Sequence, residues 1–89
     1  MGLIAITREK FEEIMDFTEL EFDGDNAFDG LVLIKKYMPT DDVICGADHD
    51  IIYSVDIDQL IKAGITEEDV IKLAKLNWMI RDDYMACFV

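Results

Sequence analysis

Apolar positions recur along this chain at two spacings, and the change from one to the other divides it into helical and extended stretches. Phe11, Ile14, Met15 and Thr18 fall at helical intervals, with Glu9, Glu12, Glu13 and Asp16 on the opposite side. Thr7 stands where a hydroxyl can accept from the first unpaired amides, so the spacing predicts a helix over about residues 8–17. The turn cluster Asp23-Gly24-Asp25-Asn26 follows. Either Asp25 or Asn26 is placed to cap a second helix, which ends near Met38 because Pro39 forbids continuation. Residues 27–38 also carry a second reading, since Leu31-Val32-Leu33-Ile34 fits a buried strand and Gly30 weakens a helix.

Beyond Pro39 the pattern turns extended. Asp42-Val43-Ile44-Cys45 and Asp50-Ile51-Ile52-Tyr53-Ser54-Val55 read as two strands joined by the four residues Gly46-Ala47-Asp48-His49. Asp56 caps a short helix through Leu60 and Ile61 to Ala63, and Gly64 supplies a left-handed stop. Thr66-Glu67-Glu68-Asp69 opens a further helix, resembling a capping box with Asp in place of Glu. Val70, Leu73, Ala74 and Asn77 mark its inner face, and Lys72 and Lys75 its outer one. The chain closes on a second hairpin, Asn77-Trp78-Met79-Ile80 returning through Arg81-Asp82-Asp83 to Tyr84-Met85-Ala86-Cys87-Phe88-Val89. The expected product is one α+β domain over residues 1–89: two small antiparallel hairpins forming a sheet, packed with three or four short helices.

Composition changes this picture mainly through charge. Twenty acids against eight bases leave a net charge of −12 on 89 residues. Such a surface disfavours direct contact with nucleic acid or an anionic membrane, and fits a basic protein partner. The acids are also unevenly spread. Between residues 11 and 34 lie Glu12, Glu13, Asp16, Glu19, Glu21, Asp23, Asp25 and Asp29, with no base among them. A second base-free stretch, residues 37–61, carries Asp41, Asp42, Asp48, Asp50, Asp56 and Asp58. A face of this kind can occupy a groove lined by Lys and Arg, its carboxylates standing in for phosphates. The plain alternative is an acidic face that only keeps a small apolar domain dispersed.

Few residues carry chemistry. Cys45 and His49, with Asp48 and Asp50 beside them, form the one constellation able to hold a metal or activate a thiol. Two good ligands fall short of a structural zinc set even with Cys87 added. Two cysteines make no disulfide framework, and their apolar neighbours predict buried free thiols. The cluster at Asp23 fails as a calcium loop, because Phe28 stands where the glycine belongs and Ile34 where the closing glutamate belongs. No cofactor is expected. The opening residues match no signal peptide and no apolar run reaches a membrane-spanning length, so a cytoplasmic protein is expected. Trp78, Met79, Met85 and Phe88 form a candidate apolar patch for a homodimer or partner contact.

Two segments carry a resemblance: Gly46-Ala47-Asp48-His49-Asp50-Ile51-Ile52-Tyr53-Ser54, and Leu76-Asn77-Trp78-Met79-Ile80 with Tyr84-Met85-Ala86-Cys87-Phe88-Val89. They are similar to segments of small acidic proteins encoded in bacteriophage and prophage genomes, and the likeness runs from about residue 42 to the end. The resemblance implies a phage accessory protein, of a kind that often inhibits host machinery, defence nucleases included, at fixed stoichiometry; with no catalytic motif in the chain, a non-enzymatic binding module is expected. The residues expected to bind the basic partner are Glu12, Glu13, Asp16, Glu19, Glu21, Asp23 and Asp25. A metal-binding or catalytic protein centred on Cys45 and His49, and a homodimeric structural subunit, are the alternatives.

Overall fold

Each helix begins where a side chain takes up its first free amides. The computed structural model describes residues 6–21 and 24–88; readings that fall on residues 1–5, on Asp23 or on Val89 lie outside the described residues. Thr7 accepts from Lys10 at the start of α1 (Arg8–Phe17), and Asp25 accepts from Phe28 at the start of α2 (Asn26–Tyr37). Asp56 opens α3 (Ile57–Lys62) with a full capping box, its carboxylate on the helix amides and the Gln59 side chain on its own N–H. Thr66 caps α4 (Glu67–Lys75) through the Asp69 amide. There the expected box is only half made, because the Asp69 carboxylate turns inward to other partners.

Two hairpins supply the strands: β1 (Gly46–Asp48) with β2 (Ile51–Asp56), and β3 (Met79–Arg81) with β4 (Tyr84–Phe88). They join through β2 and β4 into one antiparallel sheet of order β1-β2-β4-β3. The fold is α+β, with four helices. Phe11 and Ile14 of α1, Ile34 of α2, Ile57 and Leu60 of α3, and Val70, Leu73 and Ala74 of α4 share one buried cluster with Met85 and Cys87 of β4. All four helices therefore cover the same sheet face. The radius of gyration, 12.2 Å, matches the about 12 Å expected of a single folded unit of this length.

Several expectations need correction. Residues 27–38 are helical over Asn26–Tyr37, and the strand reading is excluded. Gly30 keeps its intrinsic helix cost but seats the Trp78 indole, since a Cβ built there would lie 1.9 Å from Trp78 Nε1. The first strand is Gly46–Asp48 and not residues 42–45, and the connection is the two-residue turn His49-Asp50. Asp48 pairs directly with Ile51, and its carboxylate accepts from the His49 amide. Residues 42–45 instead follow β2 irregularly, with Cys45 donating its N–H to Tyr53 and the Val43 carbonyl accepting from the Ser54 hydroxyl. A bulge in β2 between Tyr53 and Asp56 breaks the regular ladder there. Asn77 is not on the inner face of α4: the helix ends at Lys75 with Leu76 as its C-cap, and Asn77 takes a left-handed φ of 64° that asparagine tolerates.

Candidate functional site

The predicted acidic surface is built on α1 and on the connection to α2. Glu12, Glu13, Asp16, Glu19, Glu21 and Asp25 are all exposed, while Asp23 lies outside the described residues. The α1 periodicity that buries Phe11 and Ile14 necessarily turns Glu12, Glu13 and Asp16 to solvent. Two anchors hold the connection against the end of α4: the Glu21 N–H donates to the Lys75 carbonyl at 3.0 Å, and Asn26 Nδ2 to the Leu76 carbonyl at 2.8 Å.

These acids are not electrostatically equal. Glu12 meets Arg8 at 4.0 Å and Glu13 meets Lys10 at 3.7 Å, both within α1. Asp16, Glu19, Glu21 and Asp25 enter no ion pair among the described residues. Asp25 is committed to capping α2, which leaves Asp16, Glu19 and Glu21 as carboxylates with no internal task for the side chain. Two large apolar side chains stand among them, Phe17 at 82% exposure and Leu20 at 57%. Apolar anchors ringed by unpaired charge are what an interface centre and its rim require. Sequence reasoning found the acids but missed Phe17 and Leu20. The available signal was that neither falls on the α1 stripe of Phe11 and Ile14.

The Cys45–His49 constellation is not assembled. The two residues flank β1, four positions apart along roughly 13 Å of extended chain. Among the described residues no three His, Cys, Asp or Glu side chains gather into a group able to hold a metal. Cys45 is exposed, against expectation: of residues 42–45 only Val43 packs against the core, and Cys45 lies at the sheet's edge beside Tyr53. Cys87 is buried and free, Asn26 Nδ2 donates to its sulfur at 3.4 Å, and burial pushes its thiol pKa up. Ellman titration of the native protein should therefore score one thiol, and the second should react only in denaturant. Two fast thiols would contradict the placement of Cys87.

The apolar patch expected around Trp78, Met79, Met85 and Phe88 divides between two faces. Trp78 and Met85 belong to the core beneath the helices. Phe88 lies on the other face of the sheet with Tyr84, both about half exposed, and with Tyr53 and Ala86, which pair across β2 and β4. No helix of the described residues covers this second face. Its identity was hidden in sequence because β4 is apolar in both phases of its alternation, so periodicity cannot tell which phase faces the helices.

One ionic cluster is internal. Asp69 is nearly buried, takes Lys36 Nζ at 2.8 Å, accepts the Tyr37 hydroxyl, and has Lys72 at 3.7 Å. Burial alone would raise its pKa. The hydrogen bonds from Lys36 and Tyr37, with the charges of Lys36 and Lys72, outweigh that and hold the carboxyl below the usual carboxylate range. Tyr37 also accepts from the Thr66 amide at 3.4 Å, so the cluster ties the end of α2 to the start of α4. This is a structural clamp between helices.

No helix of the described residues is long and apolar enough to cross a membrane. Comparison with protein-family models, with curated proteins and with solved structures finds no match to the chain.

Proposed function

We propose that this chain is a non-enzymatic binding module that docks an acidic surface onto a basic, nucleic-acid-handling protein, in the cytoplasm of a host cell. It acts there as a phage accessory protein that inhibits or modulates its target. The observation that carries this reading is the surface of α1 and the following connection, where Asp16, Glu19 and Glu21 are exposed, without ion partners among the described residues, around exposed Phe17 and Leu20. A monomer evolved only for solubility has no need of an 82%-exposed phenylalanine amid unpaired carboxylates. A net charge of −12 extends the attraction beyond the contact, steering a basic partner toward the surface.

The test is capture from a nuclease-treated bacterial lysate at low salt, read by native mass spectrometry. The expected result is a basic protein held at fixed stoichiometry, shed as salt rises past the ~10 Å screening regime near 0.1 M, and displaced by added duplex DNA. The triple variant Asp16→Lys, Glu19→Lys, Glu21→Lys should fold within ~0.5 kcal/mol of the parent, these side chains having no described partners, yet lose the partner. Retention unaffected by that variant, or by salt, would refute the acidic docking surface.

A further inference from the structure

The face of the sheet turned away from the described helices contains a groove with its own chemistry. Cys45, Gly46, Tyr53, Asp82 and Tyr84 line an open cavity of about 310 Å³ beside the β3–β4 turn. Tyr53 on β2 and Tyr84 on β4 project from the same face, diagonal neighbours across the central strand pair. Gly46, opposite Tyr53 on β1, adds no side chain to fill the space between them. At the mouth stands Asp82, exposed and in no ion pair among the described residues. Its neighbour Asp83 is spoken for, accepting from Arg8. Both hold left-handed backbone, φ 51° and 70°, in a turn where asparagine or glycine would fit with less strain.

Charge decides the occupant. The same face carries Asp48 and Asp50 at the adjoining hairpin, with Arg81 as its cation. A second copy docked face to face would set two surfaces together that each carry three carboxylates to one arginine. A cationic side chain meets the complementary arrangement: a carboxylate for its charge and two tyrosine rings for its π-facing stem and head. We infer that the Tyr53–Tyr84–Asp82 groove is the anchoring site for a lysine or arginine side chain presented by an extended basic segment of the partner protein. This rests on the reading of the chain as a binder of basic proteins, and assigns the parts: the α1 acids attract, and the sheet groove selects.

The experiment uses a ten-residue peptide rich in arginine and lysine, added to the 89-residue chain at about 0.15 M salt, where distant charges are screened over ~8 Å. Exposed Cys45 in the groove wall is the reporter. Saturating peptide should slow its alkylation severalfold and shift the amide resonances of Tyr53, Asp82 and Tyr84. Asp82→Asn suits the left-handed backbone at least as well as aspartate, so it should keep or raise the melting temperature while weakening the peptide roughly tenfold. Tyr84→Ala, at an exposed position, should weaken it similarly, and a Tyr84→Phe variant should retain most of the affinity. Reversal of Asp16, Glu19 and Glu21 should cost the short peptide less than about threefold. If affinity instead follows only the α1 reversals and Cys45 stays unprotected, the groove inference fails while the acidic-docking reading stands. If Cys45 is protected without peptide as protein concentration rises, the face is a self-association surface and the inference is overturned.

Discussion

Gly30→Ala should destabilise the protein by about 3 kcal/mol, although alanine is the better helix former by ~1 kcal/mol at an interior helical position. Gly30 lies within α2, and an ideal Cβ there would fall 1.9 Å from Nε1, 2.3 Å from Cε2 and 2.7 Å from Cδ1 of the Trp78 indole. No heavy atoms coexist at such distances, and the obstacle is a rigid ring with 3% exposure, not the mobile end of a long side chain. Trp78 must move, and in moving it gives up the 3.1 Å hydrogen bond from Nε1 to the Asn26 carbonyl. The same Asn26 holds the Leu76 carbonyl and the Cys87 sulfur, so the disturbance reaches the join between α2, α4 and the sheet. Trp78 is the only tryptophan, which makes its fluorescence a direct reporter. Urea melts should show a lowered midpoint, and the native emission should shift to the red. Gly64→Ala is the control: nothing lies within 4 Å of its Cβ position, and it should cost only the ~1 kcal/mol of a left-handed φ of 90°. An unchanged midpoint for Gly30→Ala would show that the indole does not pack on this helix.

Asp69→Asn should cost about 2–3 kcal/mol at neutral pH, and the difference from the parent should fade in acid. Asp69 holds Lys36, Lys72 and the Tyr37 hydroxyl while itself nearly withdrawn from water. Lys36 and Lys72 are more than half exposed and can rehydrate when the carboxylate is lost, which keeps the cost below that of stranding a buried cation. The sign follows from the lowered pKa. Between the folded value and the unfolded one near 3.9, the unfolded chain binds the proton more tightly, so stability falls as pH falls through that window. Above it the clamp contributes fully. Paired denaturation curves at pH 7 and at pH 3 should show the gap between parent and variant narrowing. A gap that stayed constant would mean that Asp69 acts through its shape and not its charge.

Helix starts were legible in the sequence because a cap is local chemistry. Thr7, Asp25, Asp56 and Thr66 each satisfy amides two or three residues onward, so their roles are written within one turn of chain. The acidic stretch before α2 was equally plain, since charge and the α1 stripe alone turn Glu12, Glu13 and Asp16 outward. The first hairpin differs: its sequence predicts a four-residue connection over Gly46–His49, and the chain turns at His49-Asp50 instead. Whether Gly46, Ala47 and Asp48 form a loop or a strand depends on pairing with Ile51, Ile52 and Tyr53, and not on their own propensity.

Composition and spacing by themselves determined the α+β class, the starts of α1, α3 and α4, the presence of two hairpins and the distribution of acids, all of which rest on neighbours within a few residues, while residues 27–38 stayed open between helix and strand. Only the tertiary structure decided which phase of β4 joins the core, why a glycine sits inside α2, and which carboxylates are consumed. Met85 and Cys87 could have exchanged faces with Tyr84 and Phe88 without altering the local apolar pattern; the helices packed on one side made the choice. Gly30 and Trp78 are far apart in sequence, and no propensity of either announces their contact. Among the acids, Asp69 is spent on Lys36 and Tyr37, and Asp83 on Arg8, while Asp16, Glu19, Glu21 and Asp82 keep their charge at the surface. That sorting depends on what long-range folding brings within hydrogen-bond reach, which a one-dimensional pattern does not contain.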